Sequence, residues 1–197
     1  MMSADPPLST LLLLLSLIVV GTAPAEDRYG IVGQTAPEFP SDLTWISAEG
    51  TPAERPIKLA DYQGKVVVLE YFQSWCPGCY KLGFPAIQEI KEALADEPLV
   101  VFLAVQTVFE GHHINTKEKI RETQKQFGLS IPFGHDPGTK ASGGRSQLMH
   151  LYRTGGTPWN VVINDQGVVV ANGFHIDPEL AIPFLRELAE EARSNHS

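Results

Sequence analysis

The chain has 197 residues and 43% hydrophobic content, enough for one ordinary domain with a sizeable core. Acids outnumber bases 23 to 15, and the formal charge of -8 argues against nucleic acid as the main partner, because phosphate binding needs clustered Lys and Arg. No long charge block suggests a binding tail.

Residues 1–25 read differently from the rest. Residues 8–20 are almost wholly apolar and are followed by Ala23 and Ala25 in an Ala-x-Ala arrangement, the pattern of a cleaved secretory signal. The leading segment carries Asp5 and no Lys or Arg, which departs from that pattern. An uncleaved anchor is the alternative, and its apolar core is shorter than the ~20 residues a spanning helix needs. The expectation is export to a periplasmic or other extracytoplasmic space, with membrane contact only through this segment if it is kept. Disulfides persist there.

Residues 26–56, rich in Pro, Gly and polar residues, are expected to form an ordered but irregular lead-in with a hairpin near Glu49-Gly50. The domain proper is expected over 57–195. "IKLADYQGK" gives a short turn element. "VVVLEYF", residues 66–72, is short, β-branched and aromatic, the mark of a buried central strand. A helix is predicted from Cys76, with Pro77 at its first position, running at helical spacing to about Asp96 and kinked at Pro85. Residues 99–105 form a second buried strand, and 106–115 a polar loop. A polar helix runs from Thr116 to Phe127 and is capped by Gly128. "GHDPGTKASGG" is read as a long loop bordering the site, and Ser146 to Tyr152 as a short helix. "WNVVIN" and "VVVANG" form a hairpin about "DQG", and a closing helix starts with Asp177 as N-cap and Pro178 behind it. This order gives an α/β domain, a mixed sheet with helices on both faces.

Cys76 and Cys79 are the only cysteines in the chain. A bridge closing so short a loop removes little unfolded-chain entropy, so chemistry is favoured over stapling. Cys76 precedes the first helical turn, where free N–H groups and the helix dipole favour a thiolate. Cys79 lies on the same helix face, within bonding reach. The expected chemistry is thiol–disulfide exchange: Cys76 attacks a partner disulfide and Cys79 resolves the mixed disulfide. Structural zinc would need four ligands, and neither a second Cys pair nor a His-x3-5-His set is present in the sequence. A structural disulfide is the other alternative. Glu70 falls inside the first strand, where an ionised acid is costly unless it is used or paired. The pairing alternative is a salt bridge to Lys65 or Lys81.

"VVVLEYFQSWCPGCYK" together with "GGTPWNVVINDQGVVV" resembles the thioredoxin-like superfamily, and within it the exported TlpA/ResA-type thiol–disulfide oxidoreductases and neighbouring redoxins. The resemblance covers residues 30–190 and implies the thioredoxin-like fold. It implies a cis bond at Thr157-Pro158, which would turn the Thr157 backbone toward Cys76 to pair with an extended substrate segment. It also implies that Glu70, six residues before Cys76, accepts the Cys79 proton, matching the buried Asp of thioredoxin. Trp75, Pro77, Gly78, Thr157 and Pro158 form the expected substrate-binding set; for Trp75, packing alone is the alternative. Protein dithiols and disulfides are the expected substrates, a protein dithiol the electron donor, and a monomer the acting unit, with no dissociable cofactor and no metal.

Three departures from the resemblance stand out. Pro85 falls six residues after Cys79, where that group usually has five. Leu82 occupies the position where ResA-type proteins have a glutamate. Pro77-Gly78 reverses the Gly-Pro of thioredoxin, so no reduction potential carries over. Two other functions compete. A peroxiredoxin-type peroxidase would need Thr or Ser three residues before its cysteine and Pro seven before; Gln73 and Leu69 stand there. A copper-binding module would join His112 and His113 to the cysteines, since copper(I) favours thiolates. The bland alternative for that His pair is a solvated loop.

Overall fold

A computed structural model describes residues 29–196; the expected signal segment, 1–25, lies outside them. The described residues form one six-stranded mixed sheet. β1 is Thr44–Ile46, β2 Val66–Phe72, β3 Val100–Thr107, β4 Phe133–Asp136, β5 Trp159–Ile163 and β6 Val169–Gly173. Their order across the sheet is β1-β4-β3-β2-β5-β6. β2 runs parallel to β3 and antiparallel to β5, so it lies at the centre. All seven of its residues, Glu70 among them, are buried, as expected of a mostly apolar strand covered on both faces.

Alternation splits β2 between two cores. Val66, Val68 and Phe72 face α1 (Phe84–Ala93), α2 (Lys117–Phe127) and α4 (Pro178–Asn195), where Phe84, Ile87, Ile120 and Leu185 cover them. Val67, Leu69 and Tyr71 face the other way, toward Leu148 of α3 (Gln147–Leu151), Tyr152 just after it, and Phe39 and Trp45 of the lead-in. Phe84 is fully buried and touches the rings of Phe72, Tyr80, Phe127 and Phe133. Phe84→Ala is expected to cost about 3–5 kcal/mol, read as a lower midpoint in urea at unchanged slope.

Two strands lie where the sequence suggested irregular chain. β4 falls in the segment read as a loop. Its "FGHD" has one large apolar residue, but its polar groups are satisfied: Asp136 accepts from Ser146 Oγ (2.6 Å) and Leu148 N (2.9 Å). Gly134 is needed there, because a Cβ would sit 2.9 Å from the Trp45 ring. β1 lies inside the lead-in and pairs antiparallel with β4. The turn near Glu49-Gly50 is present, closed by the Ser47 N–H donating to the Thr51 carbonyl.

The helix after β2 also differs in detail. It begins at Pro77, but Cys79–Gly83 form a π-helical turn in which Phe84 N–H donates to the Cys79 carbonyl. That turn takes up one extra residue. Pro85 then follows this wider turn as the second residue of α1. The expected kink is therefore a change of register, and it accounts for the unusual distance from Cys79 to Pro85. The remaining elements agree with expectation. Gly128 caps α2 at φ 60°, the Asp177 side chain accepts from Glu179 N–H at the start of α4, and a turn at Gly167 joins β5 to β6.

Candidate active site

β2 ends at Phe72, and the chain turns through Gln73, Ser74 and Trp75 into the helix that carries both cysteines. Cys76 and Cys79 are joined by a disulfide, with Cα atoms 5.4 Å apart. Cys79 is fully buried and Cys76 nearly so. The Cys79 backbone N–H donates to Cys76 Sγ at 3.1 Å, the contact that stabilises sulfur as an anion once the bond opens. The Thr157 carbonyl oxygen lies 3.5 Å from the same sulfur. The Thr157-Pro158 peptide is cis, as the resemblance implied. Gly78 faces this proline, since a Cβ there would meet Pro158 Cδ at 3.2 Å. Pro77 is exposed on the outer side of the turn.

Glu70 lies beneath this turn with none of its surface exposed. Its carboxyl packs against Gly83, where an added Cβ would meet Oε1 at 2.4 Å and Pro158 Cβ at 3.3 Å. Neither carboxyl oxygen has a hydrogen-bond partner among the described residues, and no salt bridge to Lys65 or Lys81 forms. Burial alone pushes its pKa well above the usual carboxylate range. Gly83→Ala is expected to destabilise the disulfide form by about 1–3 kcal/mol, measured by urea unfolding, because the buried carboxyl must be pushed aside in a filled core and the proline ring beside it is rigid.

Trp75 is 41% exposed beside the cysteines, which leaves its face open to a partner. Its indole N–H donates to Gln73 Oε1 at 3.3 Å. The same oxygen accepts from Asn115 Nδ2 at 2.9 Å, and Asn115 Oδ1 accepts from Ser74 N–H at 2.7 Å. Gln106 Nε2 donates to Ser74 Oγ, and Gln106 Oε1 lies 2.7 Å from His135 Nδ1. That contact places the His135 proton on Nδ1. Burial, more than any neighbouring charge, holds His135 below the ordinary imidazole pKa. This chain of buried side chains ties the cysteine turn to β3, β4 and the loop after β3.

Sequence reasoning placed Cys76, Cys79, Glu70, Trp75, Thr157 and Pro158 here. It missed Asn115, Gln106, His135 and Asn160. Only Asn160 was open to the reasoning that found Glu70, since it is polar inside a strand the sequence predicts, whereas Gln106 and His135 fall in segments read as loops.

His112 and His113 are exposed on the loop after β3, whose Gly111 lies beside the Trp75 ring and whose His112 lies beside Gly144 of the 137–145 loop. The 137–145 loop therefore meets the cysteine turn through its neighbour. Leu82 is 57% exposed, so the outer helix face carries an apolar group in place of an acid. Among the described residues no group of three or more His, Cys, Asp or Glu is arranged to hold a metal ion. Nor is any described helix long and apolar enough to cross a membrane.

Comparison with known proteins gives a consistent result. The model of the AhpC/TSA family matches residues 32–172. The thiol–disulfide oxidoreductase ResA of Oceanobacillus iheyensis is 25% identical over 164 residues, which span 82% of this chain and 76% of that protein. Among solved structures, a thioredoxin-like superfamily protein superposes with a TM-score of 0.68 at 30% identity, over 79% of this chain and 96% of the other. A thiol–disulfide isomerase from Corynebacterium glutamicum gives 0.65 at 29% identity, over 78% and 96%.

Proposed function

Because the chain belongs to the AhpC/TSA family and is a thioredoxin-like thiol–disulfide oxidoreductase of the TlpA/ResA type, we propose that it exchanges disulfides with protein substrates outside the cytoplasm, with Cys76 as nucleophile. The observation that carries this is the Cys76–Cys79 disulfide at a helix start, with an N–H aimed at Cys76 Sγ. In the reducing direction, the Cys76 thiolate attacks one sulfur of a substrate disulfide. That S–S bond breaks, and the first substrate sulfur leaves as a thiolate that takes a proton from water. Glu70, as a carboxylate, accepts the Cys79 proton. The Cys79 thiolate then attacks Cys76 Sγ, the second substrate sulfur leaves, and two electrons have passed to the substrate. Glu70 ends this cycle protonated, in keeping with its buried, raised-pKa state in the disulfide form. Run backwards, the same acid protonates the departing Cys79 sulfur.

Thr157 and Pro158 border an extended substrate segment, and Trp75, Pro77 and Gly78 form its other border. The acting unit is a monomer, and a second protein dithiol restores the electrons. Export rests on the sequence of residues 1–25. A mature secreted chain beginning at Met1 or Met2 would contradict cleavage of that segment.

The peroxidase alternative gains nothing from the side chains. Leu69 and Gln73 stand where peroxide-binding groups would be needed, and Gln73 is engaged by Trp75 and Asn115. The test is equilibration of the purified protein with glutathione, followed by reaction with a protein disulfide. The couple should fall within about -270 to -120 mV, the span of exchange proteins. Rapid consumption of hydrogen peroxide without protein disulfide exchange would overturn the proposal.

A further inference from the structure

Asn160 stands directly opposite Glu70 in the antiparallel β2–β5 pair, so both side chains rise from the same face of the sheet. Asn160 is 3% exposed and Glu70 not at all. Both polar atoms of the carboxamide, like both carboxyl oxygens, lack a partner among the described residues. Two such groups side by side, each unpartnered in a dry core, are costly apart and complementary together. Other neighbours of Glu70 offer nothing polar. β3 places Ala104 beside it, the turn above presents Gly83, and the cis-proline loop presents Pro158. The buried residues of α1 and α4 are Phe84, Ala86, Ile87 and Ile90, and Ala181, Leu185, Leu188, Ala189 and Ala192. The titratable groups of the same core cluster are the thiols of Cys76 and Cys79 once reduced, and Tyr80, whose hydroxyl is hydrogen-bonded to Thr123 Oγ1.

We propose that Asn160 is the positioning residue for the Glu70 proton, donating through Nδ2 when Glu70 is a carboxylate and accepting through Oδ1 when Glu70 is an acid. A carboxamide is suited to this because it carries a donor and an acceptor on one rotatable group. Turning it serves whichever form the exchange cycle has left. In the disulfide form neither bond is closed, and the two residues stand opposite each other in the β2–β5 ladder. The bond to the charged form is the stronger, so Asn160 favours the carboxylate that must accept the Cys79 proton. This inference rests on the role given to Glu70 above.

The test follows two nuclei through pH by NMR: the Glu70 side-chain carboxyl carbon and the Asn160 side-chain amide. In the wild-type protein both should titrate with one midpoint. In Asn160→Val the Glu70 midpoint should rise by about one pH unit, and the pH profile of the Cys79 resolving step should move with it. An Asn160 amide indifferent to pH in the wild type, or a Glu70 midpoint unmoved in Asn160→Val, would overturn the proposal. The wild-type titration decides it even if the valine variant does not fold. If the two groups titrate together and shift together while the resolving step ignores both, the pairing stands, and it is the catalytic role of Glu70 that fails.

Discussion

Replacing Cys76 with serine lowers exchange with protein disulfides by roughly a thousandfold or more, while Cys79→Ser leaves the first attack in place and arrests the second. The asymmetry follows from geometry. Cys76 holds the helix-start position, with the Cys79 N–H on its sulfur and the Thr157 carbonyl alongside. Cys79 is buried behind it and can reach only a sulfur already bonded to Cys76. The Cys79→Ser protein should therefore accumulate as a covalent adduct, visible by mass spectrometry after acid quenching and released by dithiothreitol. Equal loss in both variants, with no adduct from either, would place the attack elsewhere.

Glu70→Gln slows the resolving step by about a hundredfold, the lower range for removing a positioned proton acceptor, and leaves the first attack unchanged. The pH profile is the sharper readout. In the wild type the resolving rate should carry an inflection at the raised Glu70 pKa, and in the glutamine variant that inflection should vanish. Stability gives an independent check. The unfolded chain releases the Glu70 proton near pH 4.3, whereas the folded disulfide form retains it to higher pH. Above pH 4.3 the folded state therefore binds more protons than the unfolded state, and stability falls as pH rises until the folded pKa is passed. Glu70→Gln should flatten that fall in urea-unfolding series taken across pH. An identical slope in both proteins would mean that the carboxyl is not held neutral.

The sequence made the centre of the fold legible because β2 and β3 are short, β-branched and almost wholly apolar, interrupted in β2 by Glu70 alone and in β3 only at its end, as strands covered on both faces read. β4 was hidden for the opposite reason. "FGHD" has no periodicity to detect, and its burial is set by Gln106, Ser146 and Trp45 from three other segments. The cysteine pair and Thr157-Pro158 could be read locally, as could the isolated acid at Glu70. The Gln73–Asn115–Ser74 cluster could not, because its bonds join residues 41 and 42 positions apart and nothing local marks Asn115. Pro85 signalled that one residue was extra; only coordinates show that a wider helical turn at Cys79–Gly83 absorbs it.

The stretch ahead of β2 has a consequence for where the molecule can be cut or fused. Near its start it borrows one margin of the sheet, with Gly33 N–H on the Val169 carbonyl and Val169 N–H on the Gln34 carbonyl. A few residues later it crosses to the opposite margin and hems β4 through Thr44–Ile46. One strip of chain thus shields both raw borders from strangers. A fusion partner joined upstream of Tyr29 would leave both hems sewn, whereas trimming to Lys58 would undo them together and invite molecules to stack border to border.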